Sequence, residues 1–268
     1  MNNALAVTAP PIITDAVTSA RPVISCSCQI MGITLLTADT FQVELESPSG
    51  TTLDYHAGQY LQLELDVNGD GQRQSLSYSI ANSFDPKQPR RLQLFIQNNS
   101  KIADKILNHL FSLSENKRSV KVTLPMGQAF LQTNLSLTHL LIAAGSGISQ
   151  VKCLTEEILR QQSDADVEIY WSNRHADDFY LFDELQGWLD QNKNLNFTPI
   201  LESADTNWPG RSGYIYKVIK EDFKDLNGAQ VYLCGSPQMV YGTIDKLKAA
   251  GLKEESCYSD VFEYAPRN

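Results

Sequence analysis

The run Leu140-Leu141-Ile142-Ala143-Ala144-Gly145-Ser146-Gly147-Ile148-Ser149 decides how the second half of the chain folds. Five consecutive apolar residues fit a strand covered on both faces. The glycines then turn the chain, and Val151, Leu154, Ile158 and Leu159 recur at helical spacing beyond them. The alternation continues downstream. It predicts a strand over 167–171, a helix near 182–189, a strand over 197–201, a helix around 218–223 and a strand over 230–233. The last helix is punctuated by Ser236 as its cap, Pro237 at its first position and Gly251 after its end. Strand–helix alternation implies an open parallel sheet. Residues 133–268 are therefore expected to form a doubly wound α/β domain.

Upstream, the period changes. Residues 40–46 and 60–65 alternate apolar and polar side chains, as half-buried strands do. Asn68-Gly69-Asp70-Gly71 is a turn, and further strands are predicted over 91–97 and 119–124. One helix interrupts them, with Ser100 as its cap and Ile102, Ile106, Leu107, Leu110 and Phe111 at helical spacing. Residues 23–132 are expected to be a small antiparallel barrel. Residues 1–22, rich in Ala, Thr and Pro, have no basic start and no long apolar middle, so they read as a disordered tail and not as a secretory signal.

Composition narrows the function. The chain has 268 residues, 42% of them hydrophobic, enough for about two domains. With 22 basic and 31 acidic side chains its net charge is −9 and no basic run occurs, which argues against nucleic acid and anionic membranes as partners. No apolar stretch approaches the roughly 20 residues of a spanning helix. The 5 cysteines show neither a disulfide rhythm nor metal-ligand spacing. Cys26 and Cys28 lie two apart in a predicted strand and point the same way. A reducing cytoplasm is the expected setting, with no metal. His56, His109, His139 and His175 are scattered and read as structural.

Two glycine-bearing strand ends stand out. At 143–149, glycine lets a ligand approach the backbone, and free N–H groups at a helix start favour phosphate. The same turn also serves as a plain chain reversal. It is not G-x-G-x-x-G, because Gln150 stands at the last glycine. Cys234-Gly235-Ser236-Pro237 marks the second end, and two such ends in one sheet form a crevice suited to a dinucleotide. Cys234 by itself reads as a core thiol. In the barrel half, Tyr78 and Ser79 fall on opposite faces of an extended chain. They are either surface residues or a ring that stacks on a planar ligand with a hydroxyl for its polar edge.

Seven segments occur in order: 55–60 (Tyr-His-Ala-Gly-Gln-Tyr), 78–82 (Tyr-Ser-Ile-Ala-Asn), 125–130 (Pro-Met-Gly-Gln-Ala-Phe), 144–149 (Ala-Gly-Ser-Gly-Ile-Ser), 210–213 (Gly-Arg-Ser-Gly), 234–237 (Cys-Gly-Ser-Pro) and 258–262 (Tyr-Ser-Asp-Val-Phe). Together they resemble the ferredoxin–NADP reductase superfamily, and within it the single-chain NAD(P)H:flavin reductases. The resemblance spans nearly the whole folded chain. It implies a flavin-binding barrel, an NAD(P)-binding α/β domain and a reaction at their seam. Tyr78 would lie against the flavin ring and Ser79 near its N5. Ile80 and Ala81 would supply backbone contacts, and Asn82 and Gly127 would complete the flavin side. Gly145, Ser146 and Gly147 would border nicotinamide and pyrophosphate, with Cys234 and Gly235 near the nicotinamide. Asp260 and Phe262 would close the site, and Ser172 and Arg174 would meet the adenosine ribose.

The chain also departs from that pattern. Leu76-Ser77 replaces the usual Arg-Pro ahead of Tyr-Ser, so the arginine that meets the flavin's phosphate or ribityl chain is missing. Arg73 is three residues away, on the opposite face of a regular strand, and is not its substitute. Ala144 and Ser146 are milder changes. Hydride transfer needs little acid–base chemistry from protein, since the cofactors carry it. Ser79, Cys234 and Asp260 are the expected catalytic residues. The expected activity is NADH- or NADPH-dependent reduction of flavin, with FAD or FMN held loosely or turned over as substrate. Downstream partners would be a flavin-dependent monooxygenase or an electron-acceptor protein. One competing reading keeps FAD bound and passes electrons to a ferredoxin, flavodoxin or oxygenase component. Another is a degenerate homologue that binds nucleotide without catalysis.

Overall fold

The computed structural model describes residues 21–267. The expected tail over 1–22 lies, except for its last two residues, outside them. The N-terminal half contains β1 (Ile24–Leu35), β2 (Thr40–Glu46), β3 (Tyr60–Leu65), β4 (Gln74–Ser79), β5 (Arg91–Gln97), α1 (Lys101–Glu115) and β6 (Ser119–Met126). Its six strands form one antiparallel sheet in the order β4-β3-β6-β1-β2-β5. Just past β4, the Ala81 N–H donates to Gln93 O of β5 at 2.8 Å. The sheet therefore curls until its two edges approach, giving the barrel that alternation predicted. Leu61, Leu63, Leu92, Leu94, Val120 and Val122 fill it.

The helix between β5 and β6 is capped as expected: Ser100 Oγ accepts from Ala103 N at 3.2 Å. One expectation changes. Ala103, and not Ile102, takes the first core position alongside Ile106, Leu107 and Leu110. Ile102 is 51% exposed, one step off the buried stripe.

The C-terminal half follows with β7 (His139–Ala144), α2 (Ile148–Gln161), β8 (Val167–Asn173), α3 (Phe182–Gln191), β9 (Leu195–Leu201), β10 (Arg211–Ser212), α4 (Ile215–Asp222), β11 (Gln230–Cys234), α5 (Pro237–Leu247), β12 (Cys257–Tyr258) and α6 (Val261–Tyr264). The parallel sheet has the order β10-β9-β8-β7-β11-β12, so strand order reverses between β7 and β11. Such a switch point opens a crevice beyond the carboxyl ends of the strands. Helices α2 and α3 share a core with the barrel, and α4 and α5 cover the other face of the sheet. The predicted cap and stop of α5 are in place: Ser236 Oγ accepts from Met239 N at 3.3 Å, and Gly251 adopts a left-handed φ of 84°.

Helix α2 joins the halves. Ser83 N donates to Glu156 Oε2 at 2.6 Å, and Cys153 Sγ to Asn82 O at 3.0 Å. Lys152, buried on the same helix, pairs with Glu156 and, at 3.3 Å, with Glu184. The switch point thereby lies against the barrel wall.

Candidate active site

A cleft of about 630 Å³ runs along the seam. Its barrel wall carries Tyr60, Ser77, Tyr78 and Ser79, with Phe95 to Gln97 and the first turn of α1 beside them. Its other wall carries Ser146, Gly147, Cys234, Gly235, Ser236 and Asp260. That volume lies in the usual range for small-molecule sites, about 300–1,000 Å³. Among the described residues lining it, none is Lys or Arg.

The two glycine ends meet because β7 and β11 pair in register, Ala143 opposite Cys234. Glycine is required at Gly147, where a Cβ would lie 2.1 Å from Cys234 O. At Gly235 a Cβ would meet Met239 at 2.4 Å. The first strand end is thus packed to backbone contact at Gly147, and the second lies against the tip of the Met239 side chain. Gly145 sits just behind, at a φ of 55°, and its carbonyl accepts from Trp171 Nε1 at 2.9 Å.

Asp260 is the one carboxylate among the described residues lining the cleft. Its Oδ1 is buried with no hydrogen-bond partner. Burial, and secondly Glu263, push its pKa up to about 7. Gly127 packs behind it at a φ of 91°, where a Cβ would meet the Tyr60 ring at 2.8 Å and Asp260 Oδ1 at 2.9 Å. Burial, aided by the Asp260 charge, raises the Cys234 thiol well above its ordinary value. The thiol therefore stays protonated at neutral pH. Burial also lifts the Tyr78 phenol to about 12, so it remains a neutral ring.

Tyr78, Ser79, Ser146, Gly147, Cys234, Gly235 and Asp260 thus share one cleft, while other expected site residues lie elsewhere. Ile80 and Ala81 are buried, and their N–H groups are already bonded to Gln59 O at 3.2 Å and Gln93 O at 2.8 Å. The first extends the β3–β4 ladder and the second closes the barrel onto β5. Asn82 is a brace: its Nδ2 donates to Tyr55 Oη at 3.0 Å and its Oδ1 accepts from Gln93 N at 2.7 Å. Phe262 packs on Tyr241, centroids 5.8 Å apart, because α6 is a single turn that swings it outward. Tyr264, 64% exposed, lines the cleft in its place. Ser172 is buried at the end of β8. Arg174, just beyond, has an 80% exposed side chain and its Nε lies 3.5 Å from Glu202 Oε2 at the end of β9. Leu76 packs against the barrel core, and Arg73 is exposed and outside the cleft.

Sequence reasoning missed Tyr60, the first turn of α1 and Gln150. Tyr60 ends the Tyr-His-Ala-Gly-Gln-Tyr segment at 55–60, where strand alternation alone accounts for it. Gln150 registered only as an absent glycine, and polar burial at a helix start leaves no periodic signal.

A barrel followed by a doubly wound domain, with a glycine-lined cleft at the switch point, defines a two-domain nucleotide-dependent oxidoreductase fold. Residues 141–244 match the oxidoreductase NAD-binding domain. The chain is 28% identical over 236 residues to the CDP-6-deoxy-L-threo-D-glycero-4-hexulose-3-dehydrase reductase of Yersinia pestis, covering 88% of this chain and 68% of that one. It is 26% identical over 242 residues to the NAD(P)H-flavin reductase of Vibrio harveyi, covering 88% and 98%. The ferredoxin NADP+ reductase of Neisseria gonorrhoeae has the same fold, with a TM-score of 0.66 at 17% identity over 90% of this chain and 98% of that one. The chain therefore has the two-domain fold of these reductases, and its C-terminal half carries the oxidoreductase NAD-binding domain.

Proposed function

We propose that this chain is an NAD(P)H-dependent flavin reductase whose flavin exchanges with solvent. The observation that carries the reading is the seam cleft, with Tyr78 and Ser79 on one wall and Cys234 and Asp260 on the other. The cleft fits the cofactors by its size, by the contact packing at Gly147 and by the unpartnered acceptor on Asp260. When both are bound, nicotinamide supplies a hydride that flavin N5 accepts.

The protein's part is to hold the two rings and exclude water. Tyr78 offers an aromatic face, and Ser79 a hydroxyl to the polar edge of a stacked ring. Gly147 and Gly235 allow close backbone approach. Cys234 offers a protonated, uncharged surface. Asp260, neutral below about pH 7, donates or accepts at an amide and lets the cleft bind a ring without burying a fixed charge. The wall without Lys or Arg explains the loose flavin, since a phosphate finds no cationic partner there. Losing one charge-assisted contact costs about 1.5–3 kcal/mol, roughly ten- to a hundredfold in affinity.

The test is a steady-state assay with NADH and NADPH against riboflavin, FMN and FAD. We expect riboflavin and FMN to be reduced with similar KM values and released. A yellow protein carrying stoichiometric FAD, inactive on free flavin, refutes exchange. It points instead to the second reading, electron delivery to a protein acceptor, which the similarity to a dehydrase reductase favours.

A further inference from the structure

Gln150, in the first turn of α2, is only 3% exposed. Its Nε2 donates to Gly58 O at 2.7 Å and to Ala129 O at 3.0 Å. Both acceptors lie in barrel loops. Its Oε1 accepts from Cys234 Sγ at 3.0 Å, at the end of β11. One amide therefore ties together two loops of the barrel and one strand end of the parallel sheet, and it borders the cleft.

The donor–acceptor logic fixes every atom. Backbone carbonyls can only accept. They take both amide protons and so determine which end of the amide faces Cys234. The amide oxygen can also only accept, so the thiol proton must point at it. The backbone of Cys234 is held separately, by the close packing of Gly147 on its carbonyl. A cysteine side chain has one rotamer angle and one S–H rotation. Gln150 restrains both.

We propose that Gln150 is a positioning residue: through one amide it sets the separation of the two cleft walls and commits the Cys234 proton, so that Cys234 presents sulfur lone pairs and no hydrogen-bond donor to the nicotinamide. The inference rests on the flavin-reductase reading above. It gives the residue that breaks the glycine pattern of 145–150 a function that a glycine lacks.

The test combines kinetics with a measurement that needs no turnover. The S–H stretching band of Cys234 is isolated as the infrared difference between wild type and C234A. It should lie below the position of a free thiol, and it should rise in Q150L. In Q150L, kcat should fall roughly tenfold while the KM values for nicotinamide and flavin change by less than about threefold. The isotope effect with NADH deuterated at the transferring position should increase. Q150L combined with C234A should fall by clearly less than the product of the two single losses, because both remove the Gln150–Cys234 contact while only Q150L also removes the two carbonyl contacts. Additive losses, or a change confined to KM, overturn the proposal. Where Q150L does not fold, the wild-type band alone decides, and a free-thiol position overturns the proposal. A wild type that oxidises neither nicotinamide with any flavin overturns the flavin-reductase reading as well. An active wild type with a free-thiol band overturns only the role of Gln150.

Discussion

Asp260 makes stability depend on pH in a direction opposite to most carboxylates. In the unfolded chain it titrates near 3.8, and in the folded chain near 7. Between those values the folded state holds a proton that the unfolded state has lost, so stability falls as pH rises through this window and is flat outside it for this group. The rise from 3.8 to about 7 is roughly 3 pH units. At 1.36 kcal/mol each, it amounts to at most about 4 kcal/mol. The cleft is open to water on one side, which raises the effective dielectric and brings the realised figure to about 2 kcal/mol. The groups facing Asp260 are Glu263 and Tyr264 in the turn that follows it, Tyr60 and Gly127 on the barrel, and Cys234 across the cleft. Asp260→Asn keeps the shape and removes the titration. Urea denaturation of wild type and D260N should therefore give similar stability near pH 4, with D260N gaining steadily up to pH 7–8. Parallel curves across that range would refute the argument. So would a D260N that loses stability at high pH, since the carboxylate would then have a buried partner.

Three further outcomes follow from the same cleft. Ser77 is exposed and lines it, so Ser77→Arg should lower the KM for FMN and FAD about fivefold without changing that for riboflavin, which has no phosphate to meet a guanidinium. Glu202 occupies Arg174, and exposed pairs of this kind are worth up to about 1 kcal/mol. Glu202→Gln should raise kcat/KM for NADPH up to about fivefold relative to NADH, and an unchanged ratio would exclude this pair from cofactor discrimination. Gly147→Ala forces a Cβ toward Cys234 O, where only 2.1 Å is available. It should cost about 3 kcal/mol, read as a drop in Tm, together with loss of activity.

The amino-acid sequence by itself determined the elements and their class. Hydrophobic period separates the strands at 40–46 and 60–65 from the continuous run at 140–144, and glycine with a helix start marks both strand ends at the switch point. These are local signals, written within a few residues of where they act. Its motifs also marked Tyr78, Ser79, Cys234 and Asp260 as candidate site residues. Only the tertiary structure decided which of them meet. Ile80, Ala81 and Asn82 belong to a flavin-type motif, yet the Ile80 N–H extends the β3–β4 ladder and the polar groups of Ala81 and Asn82 bond across to β5. Phe262 turns away and Tyr264 takes its place, a matter of angle around one turn of α6. Gln150 carries no periodic signal because its importance lies in two carbonyls and a thiol from segments 21 to 92 residues away in the chain. Hydrogen bonds across such distances exist only after the core has packed, so no local pattern could have announced them.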